Sequence, residues 1–488
     1  MTTTLAPAYQ QLVNDLSAVV GSRYVLWRPE ELMLYEYDGS ALDMARPDIV
    51  VVPQSTAEVA QVVRIAARAG FPVVARGGGT GLSGGSVPAA GGVVVSTSRM
   101  HRVLSVDAVA RTARVQPGLI NTDLSEYTLP WDLHFAPDPS SQKASTIGGN
   151  SAENAGGPHC LKYGITTNHV LAATVVLANG DILELDNTAP DRPGYDLLGV
   201  IVGSEGTLGL VTELTVRLMP NPESVKTFLA IFDDLDSASQ TVSAIIGQGV
   251  IPAALEMLEG QGIALVEQSV HAGYPLDAQA VLLIEIDGMD EEIDDETRRI
   301  EYICQHFEAR ELRAAKDEDQ RKKLWAGRKG ALAACARLAP HYHIQDGVVP
   351  RSRLTEVLQL TREVAKKQRV HIVNIFHAGD GNLHPLLLFD IREEGIIERA
   401  IAASEEILKA CVDAGGTISG EHGIGIEKRD YMAWLFNDDD LWAMRQMRAC
   451  FDAVGVMNPC KLIPTGASCG DIKAARGGAK ALAAGAWI

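Results

Sequence analysis

Residues 76–85 read Arg76-Gly77-Gly78-Gly79-Thr80-Gly81-Leu82-Ser83-Gly84-Gly85, and the fold follows from how this stretch is understood. An apolar run, Phe71-Pro72-Val73-Val74-Ala75, precedes it and has the composition of a short buried strand, so the glycines begin where a strand ends. Six glycines in ten residues permit positive φ and carry no side chain that would hold a ligand off the backbone. Several N–H groups can then converge on one oxyanion, an arrangement suited to a pyrophosphate. Gly79-x-Gly81-x-x-Gly84 has the spacing of the Rossmann dinucleotide fingerprint, but that fingerprint requires a helix opening at its third glycine. Val87-Pro88-Ala89-Ala90-Gly91-Gly92 and a strand-like Val93-Val94-Val95 follow instead. A Walker loop is excluded because no Lys-Ser/Thr pair closes the glycines. The plain alternative is a glycine-rich turn without a ligand.

A chain of 488 residues is too long for one ordinary core, and two or three domains are expected. The 46% hydrophobic content supports globular packing throughout, and the net charge of −19 argues against holding nucleic acid or an anionic membrane by bulk attraction. A phosphate or carboxylate ligand must therefore be held by local groups. Cys160, Cys304, Cys335, Cys411, Cys450, Cys460 and Cys469 are odd in number and show no C-x-x-C spacing, which fits reduced thiols in a cytosolic compartment and supplies no iron–sulfur ligand set. No Lys or Arg precedes Arg23 and no uninterrupted apolar h-region is present, so no signal peptide is expected. No run approaches the roughly 18 apolar residues needed to span a bilayer.

Taken in order, residues 1–41 read as a helical lead-in (Ala8 to Val20) to a strand-like Ile49-Val50-Val51-Val52. Ser55-Thr56-Ala57-Glu58 is a capping box, and Val59, Val62, Val63, Ala66 and Ala67 recur at helical spacing up to Gly70. Strand-like runs at Val103 to Val106 and Thr112 to Gln116 and a helical segment from Leu119 to Tyr127 follow. Residues 136–157 are rich in small residues and hydroxyls, with Gly148, Gly149, Gly156 and Gly157 as points of close approach, and read as a long ligand-binding loop. Val170 to Asn179 and Ile182 to Leu185 form a hairpin around Asn179-Gly180, and a strand from Leu214 stops at Pro220-Asn221-Pro222, a domain boundary. From Val225 to about Gly416, strands (Thr227 to Phe232, Ala280 to Glu285) alternate with helices (Ser237 to Gly247, Glu292 to His306, Arg353 to Gln368), as in a small α+β layer placed over a site. The acidic run Asp287 to Asp295 reads as a solvated loop and helix face.

The glycine loop, the Pro137-Asp138-Pro139-Ser140-Ser141 to Asn154-Ala155-Gly156-Gly157 stretch and Gly203-Ser204-Glu205-Gly206-Thr207-Leu208-Gly209 together resemble flavoenzymes of the vanillyl-alcohol oxidase/p-cresol methylhydroxylase (PCMH) type. The branch most resembled is that of bacterial glycolate oxidase flavin subunits, with D-lactate and D-2-hydroxyglutarate dehydrogenases as relatives. The resemblance runs from about Asp38 to about Pro464. It implies an α+β protein with a two-subdomain FAD-binding domain of the PCMH type and a ferredoxin-like α+β substrate (cap) domain. The implied divisions are 1–220 (flavin domain, core about 42–220), 221–416 (cap), 417–466 (a segment returning to the flavin domain) and 467–488 (tail).

The same resemblance assigns Arg76, Gly77, Gly78, Gly79, Thr80, Gly81, Leu82 and Ser83 to the FAD pyrophosphate. Pro137, Ser145, Thr146, Gly148, Gly149, Asn154, Ala155 and Gly156 are assigned to the flavin and its ribityl chain, Glu205, Gly206, Gly209 and Val211 to the adenosine side, and Asp138, Gly157, Tyr163 and Gly164 to the cofactor site in general. Asn458, in a terminal Asn458-Pro459-Cys460-Lys461 segment where the family has Asn-Pro-Gly-Lys, completes the set. Residues 76–86 contain neither His nor Cys, so the FAD should be non-covalent.

Phe376-His377-Ala378-Gly379-Asp380-Gly381-Asn382-Leu383-His384 is answered later by Ser419-Gly420-Glu421-His422-Gly423. Two imidazoles across a glycine-rich bend, with a carboxylate from elsewhere, can form the first shell of a divalent metal with open positions, although the spacing is not that of standard zinc signatures. The resemblance makes His377, His384 and Glu421 ligands of zinc, manganese or iron, His422 the base, and Arg328 the fork that holds a substrate carboxylate. A solvated helix arginine is the plain reading of Arg328.

Relatives acting on 2-hydroxyglutarate carry a lysine where this chain has His343-Ile344-Gln345-Asp346 and an asparagine where it has Leu386, which favours glycolate or D-lactate. The expected activity is FAD-dependent oxidation of a short 2-hydroxy acid by a glycolate oxidase flavin subunit. The alternative is a stand-alone D-lactate or other D-2-hydroxyacid dehydrogenase. A metal hydrolase and a non-catalytic FAD scaffold are weaker rivals, since hydrolysis has no use for flavin loops and a scaffold none for Glu421-His422. The implied partners are a second flavin-type subunit and an iron–sulfur subunit passing electrons to quinone, which would place a cytoplasmic protein on the inner face of the cell membrane without a transmembrane segment or nucleic acid.

Overall fold

A computed structural model describes residues 7–40, 43–186, 194–335 and 337–464. The expected tail, with Cys469, lies outside the described residues. The chain divides into two compact units, one drawn from Met1–Ala155, Ile165–Pro220 and His422–Ile488, the other from Gly156–Gly164 and Asn221–Glu421.

In the first unit, the helix Thr56–Arg68 starts where Ser55 Oγ accepts from Glu58 N, and Gly70 at φ +74° lets the chain turn back into the strand Val73–Arg76. That strand lies parallel to Val93–Ser96, which lies parallel to Ile49–Val51. The strands are apolar on both faces because helices cover them; Leu16, Val59, Val62, Val63, Val73 and Val93 are all fully buried in one cluster. A second sheet of five antiparallel strands runs Val103–Asp107, Thr112–Val115, Leu210–Arg217, Val170–Val176, Ile182–Asp186. The Asn179-Gly180 turn falls where its composition places it, with Gly180 at φ +79°.

The stretch 136–157 is not one long loop. Ile147–Glu153 is a helix, capped by Thr146 Oγ1 accepting from Gly149 N at 3.1 Å. Gly148 and Gly149 argue against helix in local propensity, yet a Cβ on Gly148 would stand 2.4 Å from Pro117 Cβ, so tertiary packing requires a glycine here whatever its propensity.

The second unit is organised on a sheet in the order Glu311–Ala314, Ser224–Phe232, Ala280–Gly288, Ala254–Glu259, His371–His377, extended by Asn382–Leu383 and Gly347–Val348, with Pro385–Phe389 pairing both His371–His377 and His341–Ile344. Helices Leu235–Gly247, Asp290–His306 and Leu354–Gln368 pack on one face, around Phe228, Phe232, Ile284 and Phe376. Leu229, Ile231, Leu258 and Leu283 fill the other. The acidic run is not solvated throughout: Asp287 is buried, accepting from the Tyr163 hydroxyl at 2.6 Å and pairing with Lys162. A carboxylate inside the strand Ala280–Gly288 needed a partner, and the segment 156–164 supplies two.

The C-terminal return braces the first unit. Val73 N donates to Val456 O and Asn458 N to Val73 O, each at 2.8 Å, while Asn458 Nδ2 donates to Gly85 O (2.8 Å) and Glu205 O (2.6 Å). Cys460, where the resemblance has glycine, adopts φ +71°, so the turn is kept with an L-residue in the left-handed region. Asn458→Ala orphans the buried groups that its amide serves and should lower stability by about 1–3 kcal/mol. Chemical denaturation followed by circular dichroism checks this, and an unchanged midpoint would show that the clasp is dispensable.

Candidate active site

The glycine loop supplies backbone donors and little else. Among the described residues, the N–H groups from Gly77 to Gly85 meet no protein acceptor, although Ser83, Gly84 and Gly85 are buried. Buried N–H groups are almost always paired, so the unpaired ones at Ser83, Gly84 and Gly85, continuing a run of open donors from Gly77, mark a place where an acceptor binds. The hydroxyls of Ser83 and Ser145 are likewise buried without a partner. Close approach explains the glycines: a Cβ on Gly77 would lie 2.3 Å from Thr146 Oγ1, and one on Gly78 2.3 Å from Ala144 O. The residues present therefore fit an anionic, diphosphate-bearing cofactor.

Charged side chains brace this loop. Arg76 turns its guanidinium to Tyr37 O (2.8 Å) and Ser86 Oγ (3.3 Å), beneath Gly79. Glu205 accepts from Ile424 N (2.7 Å) and Gly425 N (2.9 Å). Burial, then the charges of Glu205 and Asp38, push the Glu153 carboxyl well above the usual range, against the pull of Lys461 and Lys428. Lys428 and Lys461 are fully buried.

In the second unit, His377 Nε2 lies 3.2 Å and His384 Nε2 3.1 Å from the same Glu421 oxygen, with the rings nearly perpendicular. Bonds of about 2.0–2.1 Å at a tetrahedral metal separate neighbouring ligand atoms by roughly 3.4 Å, so this trio fits a divalent ion and leaves positions open. Each donor is held from behind. His377 Nδ1 donates to Glu256 (2.7 Å) and His384 Nδ1 to Gln345 O (3.2 Å), leaving Nε2 of both rings for the centre. Asp346, fully buried, accepts from Ser419 Oγ (2.7 Å), Gly420 N (3.0 Å) and Glu421 N (3.1 Å) and so sets the loop that carries Glu421.

Burial alone would lower the His377 pKa, but the charge and hydrogen bond of Glu256, and then Glu421, hold it well above the ordinary imidazole range. Burial pushes Glu421 up, and the two histidines overcome that and hold it well below the carboxylate range. Asp380, in the bend, is pushed up to about 6 by burial, with His377 pulling it back.

The structure divides the expected flavin set. Gly77 to Ser83, Pro137, Asp138, Ser145, Thr146, Gly148, Gly149, Asn154, Ala155, Glu205, Gly206, Gly209, Val211 and Asn458 fall in the first unit; Gly156, Gly157, Tyr163 and Gly164 fall in the second. There a Cβ on Gly156 would lie 2.9 Å from Glu421 Oε2, so a backbone stretch expected to line the flavin touches a candidate metal ligand. Several expected contacts are side chains with structural work: Asn154 Oδ1 accepts from Thr167 N (2.9 Å), Tyr163 serves Asp287, and Glu205 and Asn458 hold the C-terminal return. Arg328 is buried rather than solvated, with Nη2 2.6 Å from Glu256 and Nε without a partner. Sequence reasoning passed over Glu256 and Glu285, although a lone carboxylate inside the apolar strands Ala254–Glu259 and Ala280–Gly288 is itself a signal. Glu285 accepts from Arg321 twice at 2.9 Å and Trp325 Nε1 at 2.6 Å, with His159 at 3.3 Å.

Residues 47–186 match a family model described as an FAD binding domain, and residues 221–462 one described as the C-terminal domain of FAD linked oxidases. The chain belongs to the family of FAD-linked oxidases. Among its relatives, the glycolate oxidase subunit GlcD of Escherichia coli (strain K12) is 44% identical over 450 residues, covering 92% of this chain and 90% of that one. A D-lactate dehydrogenase of Anaerostipes hadrus is 34% identical over 427 residues, covering 86% and 90%. The solved structure of p-cresol methylhydroxylase aligns with a TM-score of 0.77 at 16% identity, over 93% of this chain and 97% of that one, and 4-ethylphenol oxidase from Gulosibacter chungangensis with 0.76 at 17%, over 94% and 99%. The PCMH-type fold implied by the resemblance is therefore present.

Gly78→Ala, which drives a methyl into Ala144 O, should yield protein lacking bound flavin; a variant purified with full flavin absorbance would contradict the loop's role. Loading a metal on the His377 trio must expel the proton held there, so affinity should rise with pH through and above about 6.5. Metal titration at several pH values checks the sign, and a flat profile would contradict it.

Proposed function

We propose that this chain oxidises a short 2-hydroxy acid, glycolate or D-lactate, to the 2-oxo acid, with non-covalent FAD as the electron acceptor and a divalent metal, zinc, manganese or iron, on His377, His384 and Glu421. The observation that carries the proposal is the convergence of two imidazoles and a carboxylate on one point, with Gly156 of the expected flavin-lining stretch against them. FAD, when bound, supplies the acceptor for the hydrogen and electron pair leaving C2. A metal, when bound, supplies Lewis acidity that lowers the pKa of the substrate hydroxyl.

The chain's own residues do the rest. His422, covalently next to Glu421, takes the hydroxyl proton on its imidazole as C2 is oxidised. Arg328, anchored by Glu256 through one nitrogen, keeps Nε for the substrate carboxylate. Substrate size is limited by apolar packing: Leu386 is buried among Val373, Ile375 and Leu388, and the buried His343 meets Gln345 Nε2 at 2.7 Å. Neither position offers a lysine ammonium or an asparagine amide to a second carboxylate.

Electrons then leave by partners: the cysteines show no C-x-x-C spacing for a cluster, and a second flavin-type subunit and an iron–sulfur subunit leading to quinone complete the reaction. No helix of the described residues is long and apolar enough to cross a membrane, and peripheral attachment through those subunits suits such a chain. A stand-alone D-lactate dehydrogenase is the second reading, favoured by the relative of that name; rapid turnover of the isolated chain with an artificial dye would select it.

Anaerobic mixing with glycolate, D-lactate, L-lactate and D-2-hydroxyglutarate in turn should bleach the flavin with glycolate or D-lactate first, and no bleaching by any of them would overturn the proposal. His422→Ala should retain FAD and lose substrate-driven bleaching by about 100-fold or more. Bleaching at the native rate would remove His422 from the mechanism.

A further inference from the structure

Glu256 sits where two functional side chains need one partner. It lies in the strand Ala254–Glu259, directly across the ladder from His377 of the strand His371–His377. Facing residues in an antiparallel pair have Cβ atoms about 4.5–5.5 Å apart, close enough for a carboxylate to meet an imidazole without strain. It meets Nδ1 with both oxygens, at 2.7 and 2.9 Å, and the Oε2 that makes the longer contact also takes Arg328 Nη2 at 2.6 Å. Glu256 has no exposed surface, His377 is 4% exposed and Arg328 6%. A fully buried carboxylate costs stability unless paired and hydrogen-bonded, and here it has one cation and one imidazole N–H to itself.

We infer that Glu256 is a positioning residue that fixes two groups at once: it holds His377 with Nε2 toward the centre shared with His384 and Glu421, and it holds Arg328 at a set distance from that centre. The inference rests on the reading of His377, His384 and Glu421 as metal ligands. A carboxylate accepts but does not donate, so Nδ1 of His377 must carry the hydrogen and only Nε2 can become a ligand. The same contact makes His377 a better electron donor. Arg328 is held by one Nη while Nε stays without a partner. Its fork therefore has Nη2 anchored in protein while the Nε hydrogen is left for an acceptor. Spacing between metal and guanidinium is then set by strand register rather than by two flexible side chains.

The test uses the FAD-loaded full chain with cobalt(II) or zinc(II) as probe. Glu256→Gln keeps the shape but puts an amide N–H₂ or a neutral oxygen against Arg328, and should weaken metal binding by about 10- to 100-fold. The cobalt(II) visible spectrum should shift, and KM for the 2-hydroxy acid should rise at saturating metal more than kcat falls. Glu256→Asp restores the charge one methylene short and should recover part of the affinity; it also carries the test should the glutamine variant fail to fold. Native affinity and an unchanged cobalt spectrum in either variant would overturn the role of Glu256 alone. Failure of the native chain to bind cobalt or zinc would overturn the ligand assignment beneath it, and the inference with it.

Discussion

Nine consecutive backbone N–H groups, from Gly77 to Gly85, that find no acceptor among the described residues set the central constraint. A folded chain does not leave buried donors such as those of Ser83, Gly84 and Gly85 idle without cost, and the six glycines bring no side chain to answer them. The surrounding structure can be understood as what keeps such a loop open. Ser83 O accepts from Ile426 N and Glu427 N, Asn458 holds Gly85 O, and buried Lys461 reaches Val87 O at 2.5 Å. All of these braces come from the C-terminal return, more than 330 residues further on. The chain after Glu421 must therefore come back to the first unit for the loop to hold its shape.

Charge is managed differently in the two units. Around the glycine loop, Asp38, Glu153 and Glu205 share buried space with Lys428 and Lys461, and burial together with neighbouring carboxylates pushes Glu153 toward its neutral form. In the second unit, carboxylates alternate with nitrogen-bearing side chains: Arg328, Glu256, His377, Glu421, His384. Desolvation raises the cost of the charges on Glu256, His377 and Glu421, and their neighbours lower it again. Glu256 and Glu421 end up ionised on either side of His377, a polarised arrangement that only a cation at its centre, proton or metal, leaves balanced.

Much of this was legible in the residues. Strands and helices around the glycine loop follow the apolar period, and the capping at Ser55 and the turn at Gly180 are local chemistry that needs no tertiary help. His377, His384 and Glu421 stood out because imidazoles and a carboxylate interrupt apolar strands. What could not be read are effects decided at long range. The helix Ile147–Glu153 forms over two glycines because Pro117 presses on it. Asp287 left the solvated run because Lys162 and Tyr163 come to it. Beyond the cofactor role that the resemblance gives Glu205 and Asn458, their side chains hold the returning segment, and no local pattern announces that. Glu256 pairs across a ladder whose register no local pattern announces.

The account stands most directly on the claim that the loop's amides grip a diphosphate. Flavin-free chain titrated with FAD and, separately, with riboflavin, which has the same ring but neither diphosphate nor adenosine, measures what those parts add to the ring. The account predicts that FAD binds at least about 100-fold more tightly, since hydrogen bonds to charged groups contribute roughly 1.5–3 kcal/mol each. Equal affinity for the two would place the binding energy in the ring alone and contradict it.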